Sequence, residues 1–124
     1  MTKEQIKKKL NLYLVGEFYE GRALVVKNGK WGHVDLNGNI TTPIIYDGVG
    51  HFQEGRAWVK KNGKEGYVDL NGKIVIPLIY DDVGYFKKGR AWVKINKVIY
   101  INKNGYPLKH EDFYKLIKEI FNAK

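Results

Sequence analysis

Gly21-Arg22-Ala23, Gly55-Arg56-Ala57 and Gly89-Arg90-Ala91 stand 34 residues apart, and the residues around each return in the same order. Phe18, Phe52 and Phe86 lead into this step, a valine follows at 25, 59 and 93, and an asparagine at 28, 62 and 96. Gly32-His33-Val34-Asp35-Leu36-Asn37-Gly38 is then matched by Gly66-Tyr67-Val68-Asp69-Leu70-Asn71-Gly72, and Pro43-Ile44-Ile45-Tyr46-Asp47 by Pro77-Leu78-Ile79-Tyr80-Asp81. One fixed period over so many positions marks a repeat architecture. The third copy is shorter: no glycine follows Asn96, Asn104-Gly105 falls one residue early, and no Tyr-Asp step follows Pro107. Val15-Gly16-Glu17-Phe18 repeats the unit end Val49-Gly50-His51-Phe52, so a fragment precedes two full copies and a degenerate third.

Within one copy, Ala23 to Lys27 is a short run of β-formers, and Asn28-Gly29 signals a two-residue hairpin whose central positions both need positive φ. Trp31 to Asp35 reads as the return strand. Asp35-Leu36-Asn37-Gly38 reads as a turn with Gly38 left-handed, and Ile40 to Thr42 as a third, shorter strand. Pro43 has no N–H to give a central ladder, so it is expected at an edge or at the strand's end. One such meander has too little apolar surface to stand alone, and stacking supplies the missing core. Stacking would align Phe18, Phe52 and Phe86 in one row and Leu24, Trp58 and Trp92 in another, as packing residues.

Both ends read as helices that cover the open ends of the array. Thr2 and Gln5 have the spacing of a capping box, and Ile6, Leu10 and Tyr13 or Leu14 form one apolar stripe. A second stripe comprises Phe113, Leu116, Ile117, Ile120 and Phe121, with Asp112, Lys115, Lys118 and Glu119 opposite. The expected fold is mainly β, a solenoid-like array of tandem antiparallel meanders of about 34 residues with a helix at each end. It would form a single domain over 1–124, with an N-terminal helical cap over 1–14, repeats over 15–108 and a C-terminal helical cap over 110–123.

The ordered combination Asn28-Gly29-Lys30-Trp31-Gly32, Val34-Asp35, Asn37-Gly38, Pro43-Ile44-Ile45-Tyr46-Asp47 and Phe52-Gln53-Glu54-Gly55-Arg56-Ala57 closely resembles the bacterial WG-repeat family. The resemblance covers roughly residues 15–107, although Glu65 replaces the tryptophan in the second copy and the third copy lacks the Trp-Gly pair. It implies an antiparallel β-repeat scaffold with a role in binding, and supplies neither a substrate nor catalytic residues.

Composition narrows the chemistry. Serine and cysteine are absent, which removes the two commonest nucleophiles, disulfides and thiolate metal sites. His33, His51 and His110 lie far apart, and the second copy has Tyr67 and Tyr85 where the first two stand, so aromatic or surface roles are expected rather than a metal site. No phosphate loop occurs, since the glycines are explained by turns. The chain is expected to be no enzyme and to use no cofactor. Twenty-two Lys and Arg against 13 acids give a net charge of +9, spread along the chain rather than gathered into a tail. The N-terminal stretch has no apolar run of signal or membrane-span length, so the bacterial cytoplasm is the expected compartment.

The candidate binding surface comprises the in-register Arg22, Arg56 and Arg90, the lysines Lys60, Lys61 and Lys64, and Trp31. Arginines suit phosphate or carboxylate groups, but pairing with a repeat acid such as Asp47 or Asp81 is the expected alternative. The lysines would guard hairpin edges or form a basic strip. Trp31 beside lysines suits ring stacking. Repetition without catalytic chemistry indicates a non-catalytic protein-binding scaffold, with nucleic-acid or polyanion binding through the basic surface as the alternative and self-association open.

Overall fold

The structure, a computed structural model, describes residues 1–122 and the side chains of residues 1–120. Helix α1 (Lys3–Leu10) precedes a sheet of β1 (Leu14–Tyr19), β2 (Arg22–Lys27), β3 (Lys30–Asp35) and β4 (Ile40–Tyr46). A second sheet follows with β5 (Gly48–Val49), β6 (Ala57–Lys61), β7 (Lys64–Val68) and β8 (Ile74–Tyr80). The third contains β9 (Asp82–Val83), β10 (Arg90–Ile95) and β11 (Lys97–Asn102), and helix α2 (Glu111–Asn122) comes last. Each sheet is an antiparallel meander in chain order. The sheets open at residues 14, 48 and 82, so Val15–Phe18 belongs to the opening strand of the first sheet and is no separate fragment.

The turns form because their residues tolerate left-handed backbone. Asn28 and Gly29 sit at φ +53° and +77°, and Asn62 and Gly63 at +54° and +79°, the pattern of a two-residue hairpin. In the third copy Asn96 alone, at φ +64°, closes the hairpin.

The expectation that the third strand stops at Thr42 is corrected. β4 continues through Pro43 to Tyr46, and β8 through Pro77 to Tyr80. Both lie at sheet edges, and the pairing shifts register between Trp31 and His33 and between Glu65 and Tyr67. Gly32 and Gly66 fill the gap in register. A Cβ on Gly32 would meet the Thr42 carbonyl at 2.5 Å, and one on Gly66 the Ile76 carbonyl at 2.4 Å. The glycine of the Trp-Gly pair thus makes room for the crossing proline-bearing strand. Ile99 occupies the same register position in the third sheet, opposite Val93, and among the described residues no full fourth strand lies beside it; an isolated bridge joins Ile101 to Pro107.

The core lies between layers. Leu24, Trp31, Tyr46, Val49, Phe52 and Val59 join the first sheet to the second. Tyr67, Ile76, Tyr80, Phe86 and Val93 join the second to the third, and Leu116 of α2 packs into the same cluster. Ile6 and Leu12 pack on Ala23, Val25 and Val34. At eight residues α1 is too short to persist in water alone. Full burial of Ile6 adds about 1.5–3 kcal/mol, and the Thr2–Gln5 capping box is complete. Asn11, left-handed at φ +53°, ends α1, so Leu14 belongs to β1 and the cap is shorter than the 1–14 expected from sequence.

In α2, Leu116 is buried and Phe113 half-buried, whereas Ile117 and Ile120 are exposed. The side chain of Phe121, also assigned to this stripe, and residue 123 of the expected cap lie outside the described residues. Asp112 turns inward, contrary to its expected polar-face position, and its buried Oδ1 lies 3.2 Å from the Lys97 ammonium without a hydrogen bond.

Candidate functional site

Three rows of hydrogen bonds fasten each sheet to the next. Arg22 Nε donates to the Leu70 carbonyl at 2.9 Å, and Arg56 Nε to the Lys103 carbonyl at 3.0 Å. His33 Nε2 lies 2.7 Å from the Gly50 carbonyl, and the equivalent Tyr67 hydroxyl donates to the Gly84 carbonyl at 2.6 Å. The Glu20 carboxylate accepts the N–H groups of Glu54 and Gly55 at 2.7 and 2.8 Å, and Glu54 accepts those of Lys88 and Gly89 at 2.6 and 2.8 Å. Successive left-handed residues in these turns aim two neighbouring N–H groups outward, a natural cradle for a carboxylate.

His33 has one consistent proton arrangement. A carbonyl only accepts, so Nε2 carries the hydrogen toward Gly50, and Nδ1 accepts from the Thr42 hydroxyl at 2.9 Å. Burial, opposed by the Gly50 bond and reinforced by the nearby Arg22 charge, pulls its pKa down to about 4, so the ring is neutral at pH 7. Burial likewise pushes the Tyr67 hydroxyl up, which keeps it a donor.

Rings reinforce the same joints. Tyr19 stacks on His51 at 4.2 Å and His51 on Tyr85 at 4.5 Å, while Phe52 packs on His33 at 4.6 Å and Phe86 on Tyr67 at 4.8 Å. Gly50-His51-Phe52 is therefore seated on Tyr19 and His33, and Gly84-Tyr85-Phe86 on His51 and Tyr67. Trp58 and Trp92 lie flat against Gly50 and Gly84, where a Cβ would fall 2.2 Å from either indole nitrogen.

The third sheet carries the same groups. Tyr100 pairs with Trp92 as Tyr67 does with Trp58 and His33 with Leu24. Beyond Asn102 the chain goes into α2, not into another meander. Tyr100 is 48% exposed and Tyr85 41%, and the Arg90 guanidinium rests over the Tyr100 ring at 5.4 Å. Among the described residues no carbonyl accepts from Arg90 as Leu70 and Lys103 accept from its counterparts. A groove of about 370 Å³ lies here, lined by Tyr85, Lys87, Lys88, Arg90, Trp92 and Tyr100. A second of about 390 Å³ adjoins it at Arg90 and Tyr100, reaching Leu108 and Glu111.

The residues singled out from sequence do not form one patch. Arg22 and Arg56 are staples within the array, and the expected pairing of arginines with Asp47 or Asp81 is corrected: those acids pair with Lys30 at 2.7 Å and Lys64 at 2.5 Å. Lys61 lies close enough to Asp47 to help lower its pKa, behind the hydrogen bonds from Lys30 and the Asn62 N–H, and Lys60 faces Glu65 across β6 and β7. Trp31 is half-buried against Tyr46 and the inter-sheet core. Of the set, Arg90 alone lies in the exposed groove. Tyr85, Lys87, Lys88 and Tyr100 were missed, and their signal was available: they occupy the third-copy positions of joint residues, and the third copy leads into the helical stripe of α2.

Among the described residues no group of three His, Asp or Glu side chains is placed to hold a metal ion, and no helix is long and apolar enough to cross a membrane. No curated protein and no solved structure matches the chain. The family model described as "WG containing repeat" matches residues 12–31, 31–64 and 66–98, across more than half of the 124 residues. The chain belongs to the WG containing repeat family.

Proposed function

We propose that the chain is a non-catalytic docking module of the bacterial cytoplasm that binds another protein on the exposed face of its third sheet. One observation carries this reading. At both joints between sheets an arginine and a ring residue donate to main-chain carbonyls, and the third sheet presents the same donors, Arg90 and Tyr100, on its surface. Groups shaped to hold main-chain carbonyls select a polypeptide. The absence of serine and cysteine, and the use of His33 and His51 in packing, support a role without catalysis.

The test compares the tagged chain with the variant Arg90→Ala/Tyr100→Ala in capture from a bacterial lysate. A protein retained by the first and lost by the second is the expected result, and identical retained sets contradict the reading. Polyanion binding is the second reading, favoured by Lys87, Lys88 and Arg90 beside the rings of the same groove. Oligonucleotide anisotropy across a salt series distinguishes the two: saturable, salt-sensitive binding lost in the same variant would replace the protein reading.

A further inference from the structure

We infer that the Tyr85–Tyr100 face receives a partner segment of the form glycine, aromatic residue, phenylalanine, in extended conformation. The inference rests on the docking reading above and names its ligand. The chain shows this recognition twice. Gly50-His51-Phe52 places its glycine carbonyl on His33, its imidazole on Tyr19 and its phenyl ring on His33; Gly84-Tyr85-Phe86 makes the same three contacts with Tyr67 and His51. The interface then continues to a third seat of the same composition: the Tyr85 ring ends the stacked column, and Tyr100 occupies the position of His33 and Tyr67.

Each part of the ligand has a contact. The glycine carbonyl accepts from the Tyr100 hydroxyl, as the Gly50 and Gly84 carbonyls accept from His33 and Tyr67 at the internal joints. The first aromatic ring extends the column on Tyr85, and the phenylalanine packs against Tyr100. Arg90, which rests over the Tyr100 ring, swings to a partner carbonyl, taking the role that Arg22 and Arg56 have at the internal joints. Lys87, Lys88 and Arg90 beside this seat favour acidic residues flanking the segment. The chain's own residues 81–86, Asp-Asp-Val-Gly-Tyr-Phe, combine all these features.

The probe is a fluorescent peptide of that sequence, blocked at both ends and titrated into the full chain by anisotropy. Saturable binding is expected. It should weaken roughly tenfold or more in Tyr85→Ala and in Arg90→Ala, and about fivefold in Tyr100→Phe, which removes one hydrogen bond. Replacing the peptide's Tyr and Phe by alanine should abolish binding. Thermal melting of each variant checks that the exposed substitutions leave the fold intact. No saturation, or equal binding of the ring-less peptide, overturns the inference. If the peptide fails while lysate capture still depends on Arg90 and Tyr100, this ligand assignment falls and the docking reading stands; if both fail, both fall.

Discussion

Acidification should loosen the joint between the first and second sheets through His33. In the folded chain burial holds the imidazole pKa near 4, against 6.5 when it is exposed on unfolding. Between those values the unfolded chain takes up a proton that the folded chain refuses, so stability falls as pH falls. The contribution is complete above pH 6.5, declines through the window and is gone below about 4. A difference of that size corresponds to roughly 3 kcal/mol at about 1.4 kcal/mol per pH unit. Other groups titrate nearby with mixed signs. Burial chiefly raises the Glu65 pKa, so its titration stabilises on acidification, whereas the lowered Asp35 loses its contribution below that window.

A comparison within the protein removes these common terms. The second sheet uses Tyr67 opposite Ile76 where the first uses His33 opposite Thr42, so His33→Tyr/Thr42→Ile installs a joint that does not titrate in this range. Guanidinium unfolding of both proteins at pH 7, 5.5 and 4 measures the difference directly. The natural chain should lose roughly 3 kcal/mol relative to the variant between pH 7 and 4, with unchanged denaturant slopes. Parallel stability curves would refute the placement of a neutral, buried His33 between Thr42 and Gly50.

Other consequences follow from the joints. Arg56→Ala should destabilise by about 1–3 kcal/mol in chemical unfolding because it leaves the Lys103 carbonyl without its partner, whereas Arg90→Ala should stay within about 0.5 kcal/mol. Gly50→Ala should cost about 1–3 kcal/mol, since its Cβ collides with the Trp58 indole; calorimetric melting reads the loss. Glu54→Ala should accelerate amide hydrogen exchange at Lys88 and Gly89 while the Glu54 and Gly55 amides, held by Glu20, keep their protection.

Local rules made much of this architecture legible. The Asn28-Gly29 turn, the left-handed Gly38 and the Thr2–Gln5 box each depend on residues within a few positions, and the 34-residue spacing brought Phe52 and Phe86 into equivalent buried positions. The arginine staples were not legible, because their acceptors are main-chain carbonyls 48 and 47 residues away, which no side-chain pattern announces. Pro43 was expected at an edge or at the strand's end, and it lies in the edge strand β4; that β4 runs past Thr42 was not legible, because what allows it is the missing Cβ of Gly32 on the neighbouring strand. The candidate surface was only partly legible for a related reason. Arg22, Arg56 and Arg90 look equivalent in sequence, yet only the position of Arg90 in the third sheet leaves it on an exposed face.

Site-specific photo-crosslinking in cells tests most directly whether the third sheet is the docking face. A benzophenone amino acid at position 85 should yield a discrete adduct with another protein, and the same probe at the highly exposed Tyr13 should not. No adduct from position 85, or the same adducts from both positions, would contradict the account.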